Sequence, residues 1–210
     1  MAQHIVWRAT VARAADWPLY GGVLDALYNQ EILRLAADIP HLGELADAQG
    51  RARRVSAICG SRVDAALRLD AAGRVAQFAQ LVRACALGQA SAAILGAGVI
   101  GRTAGELAQA RDELAAFLGS ADAPPPRLFP RAAIFAPART HRARHASIRL
   151  AFEAAAQAAA EAEAMAARAA AGGEATAAQP TAPAATGGEA TAAQPTAGAE
   201  QRQPAAAGAP

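Results

Sequence analysis

The chain has 210 residues and 21.2 kDa, enough for one domain with a real core and short for two. Much of its 53% apolar content is alanine, and no apolar run reaches the length of about 18 that a membrane-spanning helix needs. All 20 basic side chains are Arg, which excludes Schiff-base and P-loop chemistry built on Lys, while a net charge of +2 and 4% aromatics argue against nucleic acid.

Residues 1–18 read as an N-terminal extension. Their first stretch, MAQHIVWRATVARAA, lacks the apolar core and small-residue cleavage site of a secretory signal, so the expected compartment is the cytoplasm. Residues 24–37 place Leu24, Leu27, Tyr28, Ile32 and Leu35 at helical spacing, and Pro40 stops the pattern. Three strand-like pieces follow. Residues 52–59 form a weak first strand. In 62–69, Val63, Ala65, Leu67 and Leu69 share one parity, and 74–83 is the third, after an AAG turn at 71–73. From Cys85 the chain turns helical. Thr103 and Glu106 form a T-x-x-E capping box that opens a helix to about Leu118, ended by Gly119 and the PPP at 124–126. A last helix is expected from His145 to Arg168. Helix, three-stranded antiparallel meander, then helices is the α+β class.

The end of the chain separates from this domain, which spans 19–170. Residues 171–210 are Ala, Gly, Thr, Pro, Gln and Glu with a single Arg202, and GGEATAAQPTA occurs at 172–182 and again at 187–197. So little apolar surface does not offset the entropy of ordering, and the tail reads as disordered.

Two constellations could carry chemistry. Gly96, Gly98 and Gly101 in LGAGVIGR match the G-x-G-x-x-G of a dinucleotide-dependent oxidoreductase. The residues before it make a poor buried strand, and no βαβ repeat surrounds it; a glycine-rich helix end and turn explains it more plainly. The second constellation is Cys59, in a turn at the end of the first strand, and Cys85, at a helix start beside Arg83. A meander returns its third strand to the end of its first, so both thiols can meet at one sheet edge. His145, with His141 one turn before it, opens the last helix. Two thiolates and an imidazole suit zinc or an iron–sulfur cluster; two small buried core cysteines and a surface histidine are the other reading.

Residues from about Tyr20 to Ala160 resemble the U-type iron–sulfur cluster assembly scaffold family (IscU and the N-terminal domain of NifU). Ile58-Cys59-Gly60-Ser61 stands where the family has A-C-G-D. Cys85-Ala86-Leu87-Gly88-Gln89-Ala90-Ser91 stands where it has C-G-S-A-I-A-S at a helix start. His145-Ala146-Ser147-Ile148 stands where a His-Cys pair precedes Ser-Ile. The resemblance implies a carrier, not an enzyme. It would bind iron or a [2Fe–2S] cluster at Cys59, Cys85 and His145, with Ser61 and His141 as auxiliary groups. A cysteine desulfurase would supply sulfur, recipient apo-proteins would accept the cluster, and a homodimer is compatible with the family. There are departures. Ser61 replaces an aspartate associated with keeping the cluster labile, Ala146 replaces the third cysteine, and Arg139–Ala143 does not reproduce the chaperone-binding L-P-P-V-K segment. A relative that binds zinc in the same pocket, as a structural or sulfur-accepting protein, is the alternative.

Overall fold

The computed structural model describes residues 27–177, with side chains as far as Ala171. Leu24, the expected N-terminal extension and the tail beyond Ala177 lie outside the described residues. The first helix described in full, α1 (Gln30–Ala37), starts later than the apolar spacing predicts: Leu27 is helical, but the chain breaks at 28–29 and Asn29 is the N-cap, its Oδ1 accepting from Ile32 N at 2.9 Å. Ile32 and Leu35 are its buried residues.

The sheet consists of β1 (Gly50–Val55), β2 (Arg62–Leu69) and β3 (Val75–Arg83), antiparallel in the order β1-β2-β3. The first strand therefore ends four residues before Cys59. Pairing aligns Ala52 with Ala65, Leu67 with Phe78 and Ala65 with Gln80, which puts Val63, Ala65, Leu67 and Phe78 on the buried face. One feature has no counterpart in the strand pattern. Residues 41–43 add to the free edge of β3, with Gln80 N donating to His41 O (2.9 Å) and Gly43 N to Gln80 O (3.0 Å). The buried Gln80 amide secures this segment by donating to Pro40 O at 2.9 Å and Ala92 O at 3.1 Å.

Helices α2 (Ala86–Gly98) and α3 (Ala104–Gly119) follow, then a 3₁₀ segment (Pro130–Thr140), then the long α4 (Arg142–Ala177). The capping box on α3 is formed as expected: Glu106 N donates to Thr103 Oγ1 at 3.2 Å and Thr103 N to Glu106 Oε2 at 2.9 Å. α4 starts three residues before His145 and runs into the first GGEATAAQPTA repeat. It lies between β1 and β2 on one side and α2 and α3 on the other. Its alanines make that position accessible: Ala151, Ala154, Ala155, Ala158, Ala159 and Ala162 are all fully buried, so backbones approach closely on both sides. At Gly50 even a methyl group would overlap Ala158 O and stand 2.8 Å from Ala162 N. Larger side chains close the core beyond the alanines, with Phe129 and Phe152 meeting edge to face at 5.1 Å between centroids.

The three-glycine motif belongs to this packing. A helix, not a strand, precedes it, and the sheet has no parallel neighbours among its three strands. Gly96 sits where a Cβ would be 2.9 Å from Gln80 Nε2, Gly98 where one would be 3.0 Å from Phe129, and Gly101 turns the chain at φ +79°. The dinucleotide reading is thereby overturned, because its site requires a parallel strand feeding the glycine turn.

Candidate functional site

Cys59 lies in the turn between β1 and β2, which is closed by Ser56 N donating to Ser61 O (2.8 Å) and Gly60 N to Ser56 O (2.9 Å). The turn leaves Cys59 exposed, flanked by the exposed apolar side chains of Val55 and Ile58. Cys85 is the N-cap of α2 and half-buried; its own side chain does not cap the helix. The third element is the start of α4, whose second turn brings Ser147 against α2. Gly88 permits that approach, since a Cβ there would stand 2.6 Å from Ser147 Oγ and 2.7 Å from the Ala84 methyl.

The thiols are joined through hydroxyls. Cys59 Sγ lies 3.1 Å from Ser61 Oγ, Ser147 Oγ donates to Ser61 Oγ at 3.3 Å, and Cys85 Sγ lies 3.3 Å from Ser147 Oγ. Ser56 Oγ is a second partner of Cys59 at 3.3 Å. The sheet-edge meeting expected of the two cysteines is thus present, bridged by Ser61 and Ser147. Hydrogen bonds from Ser56 and Ser61 pull the Cys59 thiol down to about 7, with a smaller contribution from the charge of Arg144. Near neutrality about half of it is thiolate.

His145 makes no hydrogen bond to these thiols and hydroxyls. Its Nε2 lies 2.9 Å from Ala138 O and 3.1 Å from Arg139 O, at the end of the 3₁₀ segment. Carbonyl oxygens only accept, so Nε2 carries the proton and, in the neutral ring, Nδ1 keeps the lone pair. The segment that orients the ring is itself tethered. Arg139 stacks 4.0 Å over the Phe117 ring and donates to Ala121 O and Ala123 O at 2.6 Å each. His141 turns the other way, its Nδ1 lying 3.0 Å from Thr140 Oγ1 and 3.2 Å from Pro137 O. Among the described residues no group of three His, Cys, Asp or Glu is gathered closely enough to hold a metal ion. Among the arginines near these residues in the chain, Arg62 is held by Asp64 at 3.1 Å, and Arg83, Arg142 and Arg144 are exposed.

Ser147 and Ser56 are the residues that sequence reasoning passed over. Ser147 stood inside the third motif, but only its neighbour His145 has an obvious ligand chemistry.

Among solved structures, a nitrogen-fixing NifU-like protein (N-terminal) from Brucella abortus aligns at 38% identity. The alignment covers 68% of this chain and 98% of that one, with a TM-score of 0.63. The chain belongs to the U-type iron–sulfur cluster assembly scaffold family. Two more distant structures share the fold. One is a hypothetical protein at 20% identity and TM-score 0.55, covering 65% of this chain and 98% of that one. The other, from Fervidobacterium islandicum AW-1, is described as an iron–sulfur cluster assembly scaffold for the SUF system (16% identity, TM-score 0.54, 64% and 98% covered). No protein-family model matches the chain. No curated protein matches it. No helix among the described residues is long and apolar enough to cross a membrane.

Proposed function

We propose that this protein is a carrier that assembles an iron–sulfur cluster on Cys59, Cys85 and His145 and hands it to apo-proteins. The observation that carries the reading is the placement of both cysteines in one hydrogen-bonded chain within a domain 38% identical to a NifU-like one. Thiolate is the form that binds iron, and Cys59 reaches it near neutral pH. His145 has the arrangement common to metal-bound imidazoles: one ring nitrogen is tied to backbone carbonyls and the other is left to coordinate. Cys59 sits on an exposed turn, so a small movement of that turn closes the ligand set around incoming iron. Exposure also lets sulfur arrive and the cluster leave, and exposed Val55 and Ile58 offer an apolar surface beside the sulfur to the partners involved. Those partners are a cysteine desulfurase as sulfur donor and the recipient apo-proteins, in the cytoplasm. The site belongs to a domain over 19–170, with Ser61 beside Cys59 and His141 an auxiliary group one turn before His145 in the chain.

Anaerobic reconstitution with iron and sulfide tests this. Visible absorbance and bound iron are read for wild type and for Cys59→Ala, Cys85→Ala and His145→Ala. Wild type should take up a [2Fe–2S] cluster, and each substitution should weaken retention. A wild type that takes up no iron but copurifies with zinc overturns the scaffold reading.

A further inference from the structure

We propose that Ser61 and Ser147 are dedicated hydrogen-bond donors to the two cluster-bearing sulfurs, Ser61 to Cys59 and Ser147 to Cys85. The inference rests on the scaffold reading above and assigns two positioning residues to its site. In the unloaded protein the single proton of Ser147 points to Ser61 Oγ at 3.3 Å, while Cys85 Sγ waits 3.3 Å away on its other side. When iron binds, each thiol releases its proton to solvent, and each sulfur changes from donor to acceptor. Rotation of the Ser147 hydroxyl then moves its proton from Ser61 to Cys85. Ser61 Oγ, 3.1 Å from Cys59, keeps its own proton for that sulfur. Each sulfur thereby acquires a donor by rotation of a hydroxyl, and Ser61 travels with Cys59 because both lie in one turn.

Burial fixes the position of both donors. Ser147 is 1% exposed and Ser61 5%, so packing holds both hydroxyls in place; water competes least at Cys85, which is half-buried, and more at the exposed Cys59. The two sulfurs are not equivalent. Cys59 also has Ser56 at 3.3 Å, whereas Ser147 is the one side-chain partner of Cys85 among the described residues. A hydrogen bond to a ligating sulfur draws electron density from the cluster and favours its reduced form, and such outer partners typically change metal retention about tenfold or more.

The test compares reconstituted wild type, Ser147→Ala, Ser61→Ala and Ser147→Thr, reading midpoint potential and cluster half-life against a chelator. Melting of the unloaded proteins monitors folding. Ser147→Ala should lower the potential and shorten the half-life about tenfold. Ser61→Ala should act in the same direction but less, because Ser56 remains. Ser147→Thr restores the hydroxyl and should restore the potential; if it does not fold, the two alanine variants decide. A loaded Ser147→Ala with wild-type potential and half-life refutes the donor assignment while leaving the scaffold function standing. A wild type that takes up no cluster removes both.

Discussion

Gly50→Ala probes the contact on which the whole arrangement of sheet and α4 depends. The new methyl would overlap Ala158 O and lie 2.8 Å from Ala162 N and 2.9 Å from Ala158 C, where ordinary contact begins at 3.4 Å. These are backbone atoms of a helix wedged between the sheet and two other helices, so no side chain can rotate away. Relief requires β1 and α4 to separate by more than about an ångström, which loosens the fully buried alanine seam from Ala154 to Ala162. Overpacking of this kind costs about 1–3 kcal/mol and more where backbone must move, and the intrinsic gain of about 0.5–1 kcal/mol from replacing a strand glycine offsets only part. The net expectation is a loss of about 2–3 kcal/mol, or about 6–9 °C in melting temperature for a domain of this size. Thermal and urea unfolding followed by circular dichroism measure it. The control is Gly119→Ala at the end of α3, where a Cβ meets nothing within 4 Å and the helix should be unaffected or firmer by up to about 1 kcal/mol. A Gly50→Ala protein that melts with or above wild type would refute the close-packing argument.

Three further outcomes follow from the structure. In a Cys85→Ser background, the alkylation rate of Cys59 should rise with pH to a midpoint near 7, against about 8.5 for an ordinary thiol, and Ser61→Ala should move the midpoint upward because it removes a donor to the thiolate. A wild-type-like midpoint in Ser61→Ala would contradict the hydroxyl's role. Phe152→Ala empties a fully buried site against Phe129 and should cost about 3–5 kcal/mol by urea denaturation; a loss under 1 kcal/mol would mean the core is not packed as described. Deleting residues 171–210 removes side chains beyond the packed part of α4, since positions 163–171 are exposed, and should leave iron uptake and melting temperature unchanged; loss of uptake would show that the tail takes part in binding.

Local and periodic signals were legible in the residues alone. The alternation of Val63, Ala65 and Leu67 marks β2 at its observed bounds, and Thr103 with Glu106 marks the start of α3, because both signals arise among neighbours in the chain. The α+β order, and the two cysteines at the turn after β1 and at the helix start after β3, follow from the same information, although β1 ends four residues before Cys59. Other features depended on contacts far apart in sequence. Asn29 sets the start of α1 through a cap that the apolar spacing masks. Residues 41–43 join β3 only because Gln80 binds Pro40 and Ala92 across the fold. The glycines of LGAGVIGR match a nucleotide fingerprint by spacing, and only their neighbours show that they accommodate Gln80 and Phe129. The site divides along the same line. Cys59 and Cys85 announce themselves by their chemistry, while Ser147 acquires meaning only from packing 62 residues away from Cys85. The orientation of His145 likewise depends on carbonyls in a 3₁₀ segment that carries no periodic signal. Spacing along a chain encodes which groups can share a strand or a helix face. Which hydroxyl meets which sulfur is decided by the distance between backbones, and here alanine and glycine set that distance.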